Sequence, residues 1–191
     1  MSLPIALRFL LLCALVASAA DAEARTRPRP ERKESLKWLL ASHEAELRRD
    51  VLDVLGPDTE GMLIDIANTP RETPRVRVRA LAGLGYYPSE GVFAFLSSLL
   101  HERNLIGNAE GLQMRRQAIR SLGLAFGDRA IDDLLALKSD TEPGIRQAVA
   151  AGLGDTRSLR ALPELELWLT TEENLAVRQS VDAAVNRLRG R

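Results

Sequence analysis

A helical pattern recurs along the chain and limits the folds that it can adopt. An apolar helix that carries arginine is followed by a turn that contains glycine and then by a second apolar helix. The clearest copies include Val78–Gly85, Arg116–Gly123 and Arg146–Gly154, a fainter copy is Arg49–Gly56, and a truncated one starts at Val177. Repetition of one supersecondary unit is typical of solenoid folds. The sequence therefore predicts an all-α chain that acts as a binding surface rather than as an enzyme.

The composition favours helices and argues against a nucleic-acid-binding role. Hydrophobic residues make up 46% of the 191 residues, whereas aromatic residues make up only 4%. Alanine, leucine and arginine are good helix formers, and few residues of this chain favour β-strands. The formal net charge is zero, whereas a nucleic-acid-binding domain usually carries a basic excess. We therefore expect one helical domain that binds no nucleic acid.

Residues 1–22 have the pattern of a secretory signal peptide. Arg8 precedes the apolar run Phe9–Ala20, and the small residues after it offer Ala-x-Ala cleavage sites. The run is shorter than the ~20 apolar residues of a membrane-spanning helix, so an uncleaved anchor is the less favoured alternative. Three arginines within residues 25–29 oppose translocation. On balance we expect export, to the periplasm or cell envelope of a bacterium, with no transmembrane anchor after cleavage.

Cleavage would also remove the only cysteine, Cys13. Lipidation of this residue is not expected, because Leu12 rather than a small residue precedes it. The mature chain would then have no disulfide, and its stability would come from packing alone.

Two regions follow the predicted signal peptide. Residues 23–34 are interpreted as an extended linker, because Arg25–Arg32 is rich in proline and arginine and has no apolar periodicity. Residues 35–191 are predicted to form the helical solenoid, with Ser35 as the cap of its first helix. The positions of this helix that we expect to be buried are Trp38, Leu39, Leu47, Val51 and Leu55.

Turn and junction residues give the repeats a family resemblance. The turns Gly127–Ile131 and Gly154–Arg157 and the junction Glu142–Arg146 resemble those of HEAT-repeat proteins, in their short bacterial form. The resemblance extends from about residue 48 to residue 188. It implies an armadillo-like α-solenoid of about four to five helical hairpins that serves as a protein-binding or scaffolding module.

The chain departs from the HEAT pattern in two places. The turn at Tyr86–Pro88 lacks the Gly-Asp pair, and Asn104–Gly111 is an insertion. The insertion is one candidate for the binding surface.

The residues that usually carry catalysis are sparse. The only histidines are His43 and His101, and no nucleophile motif or glycine-rich phosphate loop is present. Asp132 and Asp133 are adjacent on a helix and therefore point about 100° apart, which suits shared acid–base work poorly. We expect no enzymatic activity, no metal and no cofactor. The alternatives are a HEAT-like lyase or cofactor-handling protein, by resemblance to phycobilin lyases, and a purely structural envelope spacer.

The arginines of the first helices have two interpretations. They form either an anion-binding edge or, as the resemblance implies and as we favour, a ladder of ion pairs with acids such as Asp128 or Asp155 of neighbouring units. The residues concerned are Arg75, Arg77, Arg79, Arg115, Arg116, Arg120, Arg146 and Arg178.

The second helices supply the other candidate surface. In the HEAT family they line the concave face, so their outward stripe is a candidate groove for a basic or amphipathic peptide. The alternative is that its aromatic residues belong to the core and that its acids are merely solvated. The candidate binding residues are Asp65, Phe93, His101, Asp132, Asp133, Glu164 and Trp168.

Overall fold

The computed structural model describes residues 29–190 of the chain. The predicted signal peptide and residues 23–28 of the predicted linker lie outside this part. All regular elements between these bounds are helical. The α-helices are α1 Arg29–Ala41, α2 Arg49–Asp53, α3 Thr59–Ala67, α4 Pro74–Leu84, α5 Glu90–Leu100, α6 Ala109–Phe126, α7 Ile131–Leu135, α8 Pro143–Asp155, α9 Leu162–Thr171 and α10 Leu175–Arg189.

The helices pair as stacked hairpins, which confirms the predicted solenoid. We call α4, α6, α8 and α10 the first helices and α3, α5, α7 and α9 the second helices. Each first helix packs against the next first helix along the chain, and each second helix packs against the first helix that follows it. One apolar core runs from Leu36 to Leu188 between the two layers. The units therefore share a continuous core, which a single hairpin would lack.

Side-chain caps set the starts of the first helices α4, α6 and α10. Thr73 accepts a hydrogen bond from the Val76 amide at 3.4 Å, and Pro74 opens α4. Asn108 accepts from the Gly111 amide at 2.7 Å at the start of α6. Each cap satisfies an amide that has no partner within its helix, so the junctions of the repeat are defined locally by sequence.

The beginning of the domain differs from the prediction. Helix α1 starts at Arg29, so residues 29–34 of the predicted linker are helical, since proline is tolerated in a first helical turn. The predicted helix from Ser35 also divides at residues 42–48 into α1 and α2. Trp38 is 75% exposed. The buried positions of α1 are Leu36 and Leu40, which are four residues apart and place Trp38 on the opposite face.

The other expected core positions near this division are only half-buried. These positions are Leu39, Leu47, Val51 and Leu55. The fully buried residue of α2 is Leu52. The division of the helix changed its phase, so the predicted stripe of buried residues was wrong here.

Glycines bring two first helices into backbone contact. A Cβ atom added at Gly123 of α6 would lie 2.1 Å from the carbonyl oxygen of Gly152 in α8. One added at Gly152 would lie 3.0 Å from the carbonyl oxygen of Ile119. Only residues without a side chain permit this spacing, so the glycines of the repeat determine how closely α6 and α8 stack.

One arginine position recurs in the units and joins them. Arg77, Arg115 and Arg146 follow the first buried apolar residue of α4, α6 and α8. Arg115 is buried; its Nε donates to the carbonyl oxygen of Leu100 at 3.0 Å, and its guanidinium donates to Asp140 at 2.8 Å. It thereby connects the end of α5 with the loop after α7.

The equivalent arginines make similar pairs. Arg77 is paired with Glu110, and Arg146 donates to Glu172 at 2.8 and 3.1 Å. Arg178 occupies this position in α10, where it is exposed and has no carboxylate partner among the described residues. At the recurring position the predicted ladder between neighbouring units is confirmed for Arg77 and Glu110. The carboxylate partners of Arg115 and Arg146 lie instead in the loop that ends the same hairpin.

Candidate protein-binding groove

The acids predicted on the second helices form ion pairs and hydrogen bonds between neighbouring elements. Lys138 donates to Glu164 at 2.9 Å, and Arg160 donates to Asp132 at 3.1 Å. The other two predicted acids are Asp133 and Asp65. Asp133 accepts a hydrogen bond from Ser97 Oγ at 3.2 Å, and the carboxylate of Asp65 lies 3.7 Å from Lys33 Nζ. These acids therefore interact with neighbouring parts of the array.

The two predicted aromatic residues are largely covered. Phe93 is half-buried, packs edge-to-face on Phe126 at 5.0 Å, and has the guanidinium of Arg129 3.9 Å from its ring centre. Trp168 is only 6% exposed, and its Nε1 donates to Glu172 at 3.0 Å. The expectation of an exposed tryptophan in the groove was wrong, because Trp168 lies on the core-facing side of α9.

His101 is exposed and follows the last residue of α5. Arg129 approaches both Phe93 and Asp133, so the structure brings these two predicted residues to the same region. Whether the second-helix stripe binds a peptide stays a prediction.

The predicted insertion borders a separate cleft. Residues 105–109 and residues 139–142 line a cleft of about 660 Å³. Ile106 is exposed there, whereas Gly111 packs so closely on Leu105 that a Cβ would lie 2.0 Å from its carbonyl oxygen. Gly111 therefore holds the end of the insertion against Leu105, while residues 106–109 are exposed to solvent.

The first helices carry a groove that the sequence interpretation did not identify. Three clefts of about 650, 340 and 360 Å³ share lining residues and therefore adjoin one another. They extend across α4, α6 and α8 and reach α10 at Ser180. We call this surface the first-helix groove. The residues that line its length are Arg75, Val78, Arg79, Ala82, Gln113, Arg116, Gln117, Arg120, Gln147, Ala148, Ala151 and Ser180.

A helical stripe produces this lining on α4, α6 and α8. In α6 the groove residues are Gln113, Arg116, Gln117 and Arg120, spaced three, four and seven residues apart, which places them on one face. Arg116 directly follows the structural Arg115, so the two side chains point about 100° apart. The sequence signal was present in the position next to each recurring arginine.

The groove residues differ between units although the structural arginine does not. The position after that arginine is Val78 in α4, Arg116 in α6 and Gln147 in α8. The next position is Arg79, Gln117 or Ala148. Ala148 belongs to the core and Val78 packs against it, whereas Arg116 and Gln147 are half-buried. The differences between these side chains give each unit its own surface chemistry.

Positive charge is concentrated in the clefts of this groove. Five arginines and two acids line them, although the whole chain has no net charge. Arg120 already donates to Asp155 at 2.5 Å. In the described part of the chain, Arg75, Arg79 and Arg116 have no carboxylate partner. The predicted ladder is thus wrong for these three side chains.

Arg79 has the least favourable surroundings of the three. Its guanidinium donates to the carbonyl oxygen of Ala45, but its Nε is buried without a hydrogen-bond partner among the described residues. Burial, with a smaller contribution from the charge of Arg75, lowers the pKa of Arg79. Two like charges therefore lie near each other without a neutralising carboxylate.

Two further observations limit the chemistry of the described residues. They contain no group of three or more histidine, cysteine, aspartate or glutamate side chains placed to hold a metal ion. None of their helices is both long enough and apolar enough to span a membrane.

The comparison with protein families agrees with the repeat geometry. Residues 108–186 match the family model for HEAT repeats, a segment that extends from the cap of α6 into α10. A comparison with curated proteins finds no match. The preceding helices α3, α4 and α5 continue the same stacking, and Arg77 repeats the pair made by Arg115. The matched segment and its stacked hairpins identify residues 108–186 as HEAT repeats.

Proposed function

We propose that this HEAT-repeat protein is a non-catalytic binding module that receives a segment of another protein in the first-helix groove. The observation that carries the proposal is the continuity of the groove across α4, α6, α8 and the start of α10. HEAT repeats commonly mediate protein interactions, so the fold and the groove support the same role. A scaffolding role in the cell envelope is part of this proposal, and it rests on the signal-peptide pattern of residues 1–22.

The groove suits an extended segment better than a globular surface. Neighbouring helix axes are roughly 8–10 Å apart, so four helices span roughly 25–30 Å. An extended chain rises about 3.4 Å per residue, and the groove therefore accommodates about seven to nine residues. Small side chains such as Ala148 and Ala151 leave room for the backbone, and glutamine amides such as Gln113 and Gln147 both donate and accept hydrogen bonds.

Site-specific photo-crosslinking tests which surface is used. A photo-reactive amino acid replaces Gln113, which lies in the groove, or Ala94, which is exposed on the second helix α5. Both sites are exposed helical positions, so Ala94 is a matched control. After expression of the full-length chain in its native cells, we expect covalent partner adducts from position 113 and none from position 94.

The other outcomes contradict the proposal in different ways. Adducts confined to position 94 would show that the partner binds the predicted stripe of the second helices instead of the first-helix groove. Adducts from neither position, with both proteins folded and abundant, would favour the purely structural envelope spacer.

A further inference from the structure

We propose that the segment received by the first-helix groove is acidic, and that its carboxylates pair with Arg75, Arg79 and Arg116. This inference deepens the proposed function and depends on the groove being the binding surface. It concerns the chemistry of the partner, which neither the fold nor the family match specifies.

The first step of the argument is the contrast between two sets of arginines. Where an arginine of this array stabilises stacking, it has a carboxylate within hydrogen-bond distance, as Arg115 has in Asp140 at 2.8 Å. Arg116 is the adjacent residue and is half-buried, yet it makes no ion pair or hydrogen bond with a carboxylate of the described residues. The unpaired arginines are therefore not part of the structural ladder.

The second step is that the unpaired arginines lie together. Arg75 and Arg79 are four residues apart on the same face of α4, and both line the cleft that Gln113 of α6 also lines. Arg116 lies one turn beyond Gln113 and lines the adjoining cleft. A bound carboxylate near Arg79 would relieve the repulsion from Arg75 and would supply an acceptor to the buried Nε.

The third step excludes the acids already present as sufficient partners. Asp155 at the far end of the groove already accepts from Arg120 and Arg187, both at 2.5 Å. Glu46 lines the same cleft from the loop between α1 and α2, next to Arg48. Arg75, Arg79 and Arg116 therefore remain to pair with the carboxylates of an incoming protein segment.

A protein segment fits these cations better than a nucleic acid does. Nucleic-acid sites combine a long basic stripe with aromatic side chains on which bases stack. The groove has alanine and glutamine between its arginines, and Tyr86 at one edge is its one aromatic lining residue within the described chain. Alternating carboxylates on an extended peptide match cations separated by small and amide side chains.

Fluorescence anisotropy with defined probes tests the inference. The probes are a labelled ten-residue peptide with glutamate at alternate positions, the same peptide with lysine in place of glutamate, and a ten-nucleotide single-stranded DNA. The protein is the full chain and its variants Arg116→Gln, Arg75→Gln and Arg178→Gln. Arg178 is the matched control, because it is exposed on α10, unpaired in the described structure and outside the lining of the groove.

We expect binding of the glutamate peptide and none of the lysine peptide. Loss of one charge-assisted contact should raise Kd about tenfold in Arg116→Gln and Arg75→Gln, and should leave Kd unchanged in Arg178→Gln. Binding should weaken as salt concentration increases. Far-UV circular dichroism of each variant confirms that the fold is retained.

Three results would overturn the inference. These are equal binding of the glutamate and lysine peptides, equal weakening by Arg178→Gln and Arg116→Gln, and tighter binding of the DNA than of the glutamate peptide. If the peptide does not bind but position 113 still forms partner adducts, the acidic chemistry is wrong and the groove remains the binding surface. If position 113 forms no adducts, the proposed function itself fails.

Discussion

The backbone contact between α6 and α8 predicts a large effect from the smallest possible substitution, Gly123→Ala. The new Cβ would lie 2.1 Å from the carbonyl oxygen of Gly152, where ordinary contacts begin at 3.4 Å. The two helices must separate by roughly 1 Å. Overpacking of this kind typically costs about 1–3 kcal/mol, and we expect a cost of about 3 kcal/mol here because backbone atoms cannot change rotamer to relieve the contact. Alanine has a higher helix propensity than glycine, which offsets about 1 kcal/mol of this loss in the free energy of unfolding.

We expect Gly123→Ala to lower the free energy of unfolding by about 2 kcal/mol, which corresponds to a fall in Tm of roughly 4–8 °C. Gly144→Ala is the matched control. Gly144 is also in a first helix, but its added Cβ would meet no atom closer than 3.7 Å, so that variant should gain about 0.5 kcal/mol.

Urea unfolding followed by far-UV circular dichroism measures both variants. The midpoints should move in opposite directions while the slope stays constant. If Gly123→Ala matched or exceeded the stability of Gly144→Ala, the helices would have to be further apart than the structure has them, and the reasoning would be refuted.

Three further predictions concern the ion pairs, the tryptophans and the N-terminus. Hydrogen bonding to Arg146 lowers the pKa of Glu172, so its stabilising contribution is present above the ordinary value of 4.5 and is lost as pH falls below it. Glu172→Gln should therefore lower the free energy of unfolding by about 2 kcal/mol at pH 7 and flatten its decline between pH 5 and 3, as pH-dependent urea unfolding will measure; an unchanged acid profile would contradict this. Trp168→Ala should cost about 3–5 kcal/mol, because it empties a buried volume, whereas Trp38→Ser should change stability by less than about 0.5 kcal/mol; equal thermal shifts would contradict the burial pattern. Export should yield a mature protein that begins at Glu23, and an intact mass that retains Met1 would disprove cleavage.

The architecture was predictable because the same kinds of turn and junction residues occur in several units. Gly127-Asp128 marks a turn within a hairpin, and the helix-capping residues mark the junctions, so local chemistry alone specified hairpins and their order. The beginning of the domain was less predictable. Nothing in the periodicity showed that residues 42–48 interrupt the helix, and this break put Trp38 on the exposed side.

The candidate site was harder to predict because burial depends on which neighbours a helix meets. Trp168 and Phe93 have the same spacing whether they face solvent or the core, and only the packed array shows that both are covered. The arginines posed the same difficulty. Arg115 and Arg116 are adjacent and chemically identical, and only the position of Asp140 separates the structural residue from the surface residue.

The adjacency of Arg115 and Arg116 has a consequence for how such a chain can change. One position holds the units together, and the next faces the groove without contributing to that contact. Substitutions at Arg116 therefore need not disturb the stacking. The array can acquire new partners one unit at a time while its folding is preserved, and the same register offers a short set of positions at which its selectivity can be redesigned.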